Sequence, residues 1–350
     1  MHMADALLSP AVATVMYGAT AVAAGTSIYK VNKENIQSKL PTMAVTAALV
    51  FAGQMLNYSI PGTGSSGHIC GGMLLTALLG PFAGFLSMIV ILAIQCLFFA
   101  DGGLMALGAN CWNMAFYGCF VGYFLIWRPI MGTKLNSRVK IILASVLGCV
   151  ITLQLGAFSV CLETSLSKIT DLPFGAFVGI MQPIHLAIGL VEGLATSAIL
   201  LFVNEARPEL IMDLGEGGAE KSKLSLKAVL AVLACIAIVF GAGLSLLASG
   251  NPDGLEWSLF GNQDGGYSAN MGLDEEDYGV SSDAADKAAG IQDKLSFLPD
   301  YAFKGSDSAA GTSTSGIVGM ILVAGVILVV ACVPKLVKKE KVESDSKQSE

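Results

Sequence analysis

Long apolar runs constrain the fold of this chain more than any other feature of its sequence. A helix that crosses the hydrocarbon core of a bilayer needs roughly 17–25 largely apolar residues. Stretches that satisfy this need are found at 7–29, 43–60, 112–127, 141–160, 174–203, 226–248 and 316–333. Only 13% of all residues are charged, whereas about a quarter are charged in soluble domains. Most of the chain is therefore expected to lie in lipid.

Helices are the only spanning structure that the pattern supports. Backbone groups in lipid must be hydrogen-bonded internally, which leaves α-helices and closed β-barrels. The alternation that is typical of barrel strands is absent from the sequence. The segment 68–100 is apolar as well, but Gly71-Gly72 and Gly80-Pro81 interrupt it, so it could form one long kinked span or two short ones.

Charged loops then decide the number of crossings. Basic residues concentrate in cytoplasmic loops, and here they lie in three groups: Lys30, Lys33 and Lys39; Arg128, Lys134, Arg138 and Lys140; and Lys335, Lys338, Lys339 and Lys341. The chain must cross an odd number of times between His68 and Arg128, so we predict three short spans there. The predicted fold is an all-α polytopic membrane protein, with a seven-helix bundle followed by a two-helix module. Its N-terminus is predicted to be extracytoplasmic and its C-terminus cytoplasmic.

The same pattern divides the chain into parts. We predict a seven-span module at 1–205, a cytoplasmic linker at 206–225, a two-span accessory module at 226–334 and a cytoplasmic tail at 335–350. Between 249 and 315 the accessory module carries twelve Asp or Glu residues against three Lys. This segment has too few apolar residues to bury a core of its own. We therefore expect it to be a flexible, solvated, extracytoplasmic connector.

The cysteines do not form a recognisable metal or redox pattern. All eight are scattered, mostly inside apolar runs, and no pair has C-x-x-C spacing. We interpret them as small apolar residues packed between helices.

The metal chemistry of this sequence depends on its three histidines, His2, His68 and His185. No cleaved targeting peptide is indicated, so we expect the mature chain to begin at Met1. A free α-amine followed by histidine chelates one ion through the amine, the intervening amide nitrogen and the imidazole. Square-planar nitrogen sites favour Ni²⁺ or Cu²⁺, while imidazole also suits cobalt and zinc. His68 follows the Gly- and Ser-rich loop 61–67 on the same predicted side, and it is the candidate fourth donor.

Each of these pieces is weak when it is taken alone. An N-terminal Met-His sequence can be an accident of the start codon, and a single loop histidine is usually an ordinary surface residue. The Gly-rich loop lacks the Gly-Lys-Ser/Thr ending of a phosphate loop, so we reject nucleotide binding there. It is the combination that indicates a metal site.

Several motifs together carry a family resemblance. They are MHMADALLSP at 1–10, GH at 67–68 followed by GG at 71–72, QCLFFADGGL at 95–104, ALGAN at 106–110 with NM at 113–114, and HLAIGLVEGL at 185–194. This ordered set resembles the cobalt/nickel-specific membrane component of energy-coupling factor transporters. The later SGNPDGLEW at 249–257 is similar to the small two-helix component of the same importers. The chain thus resembles a fusion of the two components.

The resemblance implies a function and a set of ligands. The family binds Co²⁺ or Ni²⁺ as its transported substrate, without an organic cofactor, through groups that correspond here to Met1, His2 and His68. It implies two ATPase subunits and a coupling transmembrane subunit as partners in a bacterial inner membrane, and no nucleic acid. Ala6 replaces a glycine that many relatives have, which could change affinity or selectivity. Sequence does not separate cobalt from nickel.

Polar residues outside this ligand set allow two interpretations. His185 and Glu192 share one helix face within a membrane span, where ionisable groups are functional candidates. We interpret them as structural, with proton handling as the alternative. Polar residues also lie near the span ends, namely Asn57, Asp101, Asn110 and Asn113. They could contact His68 and orient it as a ligand, or they could form helix caps and interhelical hydrogen bonds.

The alternatives for the whole chain belong to other classes. The chain has no Walker motif, so it is not expected to hydrolyse ATP, and no nucleophile–base pair indicates an enzyme. The main rival is a self-sufficient secondary transporter in which protons drive metal uptake through His185 and Glu192. Uptake that survives deletion of the ATPase genes would favour that rival.

Overall fold

The computed structural model describes residues 2–33, 39–168, 173–214, 222–261, 282–306 and 308–347, with side chains described up to residue 330. These residues are almost entirely helical. The helices are α1 (Pro10–Lys33), α2 (Leu40–Gln54), α3 (Gly72–Leu79), α4 (Pro81–Phe99), α5 (Leu107–Met131), α6 (Ser137–Ser167), α7 (Phe174–Ala206), α8 (Leu226–Leu247), α9 (Gly254–Phe260), α10 (Asp283–Leu295) and α11 (Ala309–Lys347).

The helix lengths confirm an all-α polytopic membrane protein. Within the described residues, seven helices are long and apolar enough to cross a membrane, namely α1, α4, α5, α6, α7, α8 and α11. α2 is a shorter apolar helix of 15 residues. Five of these seven helices precede the linker and two follow it. With α2 and the short α3, seven helices form the first module, in agreement with the predicted seven-helix bundle.

The chain turns back on itself between α3 and α4. Gly80 has a φ of +84°, which glycine adopts without steric cost, and Pro81 begins α4, where its missing N–H is not needed. The 8 residues of α3 cover about 12 Å, less than half of a hydrocarbon core of ~30 Å. The three helices predicted between His68 and Arg128 are therefore present, but the first of them is only partly long enough to cross.

A short hairpin delivers His68 to the bundle. β1 (Tyr58–Ser59) pairs antiparallel with β2 (Ser66–Gly67), and these are the only strands in the described part of the chain. A Cβ on Gly67 would lie 2.5 Å from Cγ1 of Ile188 in α7. Since only glycine fits this gap, the hairpin can place the residue that follows it, His68, directly against α7.

Small residues bring α6 and α7 together. A Cβ on Gly189 would lie 2.8 Å from Cα of Val150, and one on Gly193 would lie 2.6 Å from Cα of Val146. Two glycines four residues apart allow this backbone approach, which is typical of helix pairs in membranes. Because these glycines face α6, α7 is held in a fixed rotation in the bundle.

The acidic connector differs from its prediction. Its described parts, 249–261, 282–306 and 308–315, contain α9, α10 and the start of α11, so the expectation of a flexible, solvated segment is wrong there. Leu255, Leu259 and Leu298 are exposed by only 2%, 1% and 5%, and they join the hydrophobic core of the whole chain. The connector has too few apolar residues for its own core, but enough to dock onto the first module. Residues 262–281 and 307 lie outside the described residues.

Candidate metal centre

The N-terminal segment is folded into the bundle beside the first turn of α5. The N–H of Met3 donates to Oδ1 of Asn110 at 2.7 Å, and Nδ2 of Asn110 donates to the Met3 carbonyl at 3.1 Å. The N–H of Gly103 also donates to that carbonyl, at 2.9 Å. The side chain of Met3 is fully buried, so packing fixes its side chain and these hydrogen bonds fix its backbone. The position of its neighbour His2 is thereby fixed through the backbone.

Asp5 ties the same segment to the loop between α4 and α5. Its Oδ1 accepts the N–H of Ala106 at 3.0 Å, and burial raises the pKa of this carboxyl above its ordinary value. A Cβ on Gly103 would overlap Asp5, so this glycine permits the close approach. The loop and the N-terminal segment therefore form one unit.

His2 and His68 meet at this end of the bundle. Their rings stack with centroids 5.2 Å apart and an angle of 22° between the planes. Nδ1 of His68 lies 3.0 Å from the carbonyl oxygen of Ile69. Because a carbonyl can only accept, Nδ1 carries the proton and the lone pair of Nε2 is left for a ligand.

Two polar groups from α4 and its end hold the ring of His2. Nδ1 lies 3.1 Å from Oδ1 of Asp101, and Nε2 lies 3.3 Å from Oε1 of Gln95. Burial lowers the pKa of His2, and the carboxylate of Asp101 opposes this shift. Burial also lowers the pKa of His68, well below its ordinary value of 6.5. Both rings are therefore neutral near pH 7, as metal binding requires.

Three of the four polar residues that were candidates for orienting His68 have side-chain partners elsewhere. Asp101 contacts His2, and Asn110 binds the backbone of Met3. Asn113 donates to Oε2 of Glu163 in α6 at 2.8 Å. Asn57 lines the cavity next to His68, and its backbone carbonyl accepts from Ser249. An interhelical hydrogen bond thus describes Asn113, whereas Asp101 and Asn110 bind the N-terminal segment.

Glu192, rather than any of these four, supports the loop of His68. Its two carboxyl oxygens accept the N–H groups of Cys70 and Gly71 at 2.7 and 2.8 Å. Gly71 has a φ of +85°, and a Cβ there would clash with Val50. Glu192 thus fixes the chain just after His68, where α3 begins.

The accessory module lies over the site. The N–H of Ser66 donates to the carbonyl of Pro252 at 2.8 Å, which extends the hairpin by the segment before α9. From α10, Nε2 of Gln292 donates to the Gly102 carbonyl at 2.7 Å. The hydroxyl of Tyr301 donates to Oδ2 of Asp101 at 2.5 Å. The second module therefore contacts both loops that surround the histidines.

A cavity of about 540 Å³ lies between the two modules, next to His2 and His68. Five of the side chains that line it carry carboxyl groups: Asp5, Asp101, Asp253, Glu256 and Asp300. Clefts lined by one sign of charge concentrate ions of the opposite sign. The cavity is therefore suited to a cation. Among the described residues, however, no three His, Cys, Asp or Glu side chains are grouped to hold a metal ion. Met1, whose terminal nitrogen belongs to the predicted ligand set, lies outside the described residues.

Sequence reasoning missed four of these residues, Gln95, Asp253, Gln292 and Tyr301. A buried Gln within an otherwise apolar run was a signal for Gln95, which is fully buried. Gln292 and Tyr301 gave no such signal, because their partners lie about 200 positions away in the chain.

Comparison with known proteins agrees with this arrangement. Residues 2–210 match the family described as the cobalt uptake substrate-specific transmembrane region, and residues 227–336 match the PDGLE domain. A chain from Archaeoglobus fulgidus that is named as a fused nickel transport protein is 36% identical over 92% of this chain and 95% of its own length. The fused nickel transport protein of Rhodobacter capsulatus is 30% identical over 73% of this chain and 75% of its own length.

A solved structure gives the same result for the first module. The crystal structure of a transition metal transporter superimposes with a TM-score of 0.52 at 32% identity, and it covers 60% of this chain and 96% of its own length. The family match spans more than half of the chain, and the fused relatives share its order of modules. The chain therefore belongs to the cobalt uptake substrate-specific transmembrane family, in the form that is fused to a PDGLE domain.

Proposed function

We propose that this chain is the substrate-capture subunit of an ATP-driven energy-coupling factor importer for cobalt or nickel. Its ligands are the α-amine of Met1, the amide nitrogen and imidazole of His2, and the imidazole of His68. The observation that carries this proposal is the stacking of His2 on His68, 5.2 Å apart, at the edge of an acidic cavity. The relatives named as nickel transport proteins support the choice of ion.

The chemistry of the site follows from its donors. Four nitrogen ligands in a plane suit Ni²⁺, and imidazole also suits Co²⁺. The α-amine and the His2 amide must lose protons when the ion binds, while the two buried imidazoles are already neutral. Nδ1 of His2 lies beside Asp101 in this structure, so the ion replaces that contact when the chelate closes. Asp101 then remains bonded to Tyr301.

The membrane arrangement follows the loop charges. We place the N-terminus and the cavity outside a bacterial inner membrane, and the basic loops and the C-terminus inside. The boundaries of the modules at 205 and 225 belong to the same proposal. ATP hydrolysis is assigned to separate ATPase subunits, and transmission to a coupling transmembrane subunit, because this chain has no Walker motif.

The proton-coupled rival has less support. It needs a carboxyl at Glu192 that is free to exchange protons, but both oxygens of Glu192 accept backbone N–H groups at the start of α3. A structural role explains that geometry. Uptake of ⁶³Ni²⁺ in cells that lack the ATPase genes decides between the two: the proposal predicts no uptake above background, and undiminished uptake would establish the rival.

Removal of the loop histidine tests the site itself. His68→Ala should abolish tight Ni²⁺ binding in a calorimetric titration, because one of four donors is lost. The thermal unfolding midpoint should change little, since His68 lies in a loop and is only half-buried. A variant with unchanged affinity would remove His68 from the ligand set.

A further inference from the structure

One ring nitrogen of His185 is unpaired among the residues that the structure describes. The residue is 1% exposed on α7, and its Nδ1 lies 2.8 Å from the carbonyl oxygen of Met181. Since the carbonyl only accepts, Nδ1 carries the proton and Nε2 holds a buried lone pair. No hydrogen-bond partner reaches that Nε2 from the described residues. Buried polar atoms are nearly always satisfied, so this atom indicates an occupant.

His185 and His68 line one small cavity. It has a volume of about 10 Å³, enough for a single small ion or a water molecule, and Cys70 and Met114 are also in its wall. His68 lines the large cavity as well. In both histidines a backbone carbonyl fixes the proton on Nδ1. This is the way in which metal-binding histidines are commonly held, with the other nitrogen aimed at the ion.

The accessory module closes this small cavity. A Cβ on Gly254 would lie 2.7 Å from Cγ2 of Ile184 and 3.2 Å from Cε1 of His185. Its neighbour Asp253 lines both the small and the large cavity. The lack of a side chain at Gly254 is therefore what leaves room beside the imidazole of His185.

We propose that Nε2 of His185 is a ligand at a second, inner position for the transported divalent cation. The inference rests on the proposed function, because the ion arrives from the outer chelate. It leaves the α-amine of Met1 and both nitrogens of His2, keeps His68 and gains His185, while the α-amine and the amide of His2 each take back a proton from water. Imidazole favours borderline divalent ions such as Ni²⁺ and Co²⁺.

The inner position has few protein ligands, which suits an ion in transit. No three His, Cys, Asp or Glu side chains are grouped for metal binding in the described ranges, so the two imidazoles would be its main ligands. Such a set binds weakly, and an ion that must move on cannot be held tightly. A water molecule alone is the competing occupant, and the experiment separates it from the ion.

The test uses Co²⁺, whose visible absorption reports its ligands, with the full-length protein. A short N-terminal extension disables the outer chelate, and the extended chain should still bind Co²⁺ weakly with a histidine signature. In that chain His185→Gln should weaken binding at least about tenfold. In the chain with its native N-terminus, His185→Gln should leave tight binding unchanged. Equal binding by the native and extended chains would instead contradict the proposed outer chelate. Failure of the inner position can therefore be distinguished from failure of the outer chelate.

A second variant covers the case in which His185→Gln does not fold. Gly254→Ala keeps the histidine but places a methyl group in the cavity, so it should weaken Co²⁺ binding by the extended chain to the same degree. Gly250→Ala is the matched control, because nothing lies within 4 Å of a Cβ there, and it should have no effect. The inner position is ruled out if the extended chain binds no Co²⁺ at millimolar concentration, or if Gly254→Ala and Gly250→Ala bind equally.

Discussion

Asn110 holds the backbone of Met3 through both ends of its side-chain amide, with contacts of 2.7 and 3.1 Å. The sequence indicated Asn110 as a polar residue near a span end that could either orient His68 or form a cap or interhelical hydrogen bond. The true partner lies 107 positions away, and nothing in the local sequence indicates which loop reaches a given span end. The histidines could be selected from the sequence because the chain contains only three, and the structure brings two of them together, while their role as ligands stays a prediction.

Loss of this clamp should affect metal affinity rather than folding. Asn110→Ala removes both contacts to Met3, so His2 is no longer held in place by its neighbour. We expect Ni²⁺ affinity to fall about 10–100-fold, as is typical when groups behind the ligands are removed. Calorimetric titration measures the change. Asn136→Ala is the matched control, since Asn136 only caps α6 by accepting the N–H of Arg138, and it should bind normally.

At the scale of elements, the apolar runs predicted the long helices well and the short ones poorly. The 15-residue α2 lies mostly within the predicted run 43–60, whereas the 8-residue α3 was inferred from loop charge, since it lacks the length of a full span. The role of Glu192 also belongs to this scale, because it joins α7 to the start of α3. Sequence reasoning left that residue between structure and proton transfer, and the backbone contacts favour structure.

Neutralising Glu192 should therefore loosen the start of α3. In Glu192→Gln one side-chain oxygen becomes an NH₂ group that faces a backbone N–H, so one buried donor loses its acceptor. The cost is about 1–3 kcal/mol, measurable as a lower thermal unfolding midpoint. Glu205→Gln on the same helix is the control, because its pair with Arg138 is exposed and worth only about 0–1 kcal/mol. A stable Glu192→Gln variant that binds metal but transports none would contradict the structural role.

At the scale of the molecule, the two modules hold the site between them. The hairpin of the first module pairs with the segment before α9, and Tyr301 of the second reaches Asp101. At the other end of α5, the linker docks as well, with the N–H of Met212 donating to the Ala77 carbonyl at 2.8 Å and Trp127 donating to Met212. The sequence predicted two modules but not their docking. The connector was assessed only for whether it has enough apolar residues to form a core of its own, and not for whether it could pack onto the first module.

The identity of the N-terminal group is the most direct test of the central claim. Two chains that differ only in a short extension before Met1 should be titrated with Ni²⁺ and Co²⁺, with any purification tag placed at the C-terminus of both. The extension turns the α-amine into a peptide nitrogen and moves it out of the chelate, whereas the helices and the cavity are untouched. The chain with a free Met1 should bind tightly, and the extended chain should lose high-affinity binding of both ions. Equal affinities for the two chains would contradict the proposed metal site.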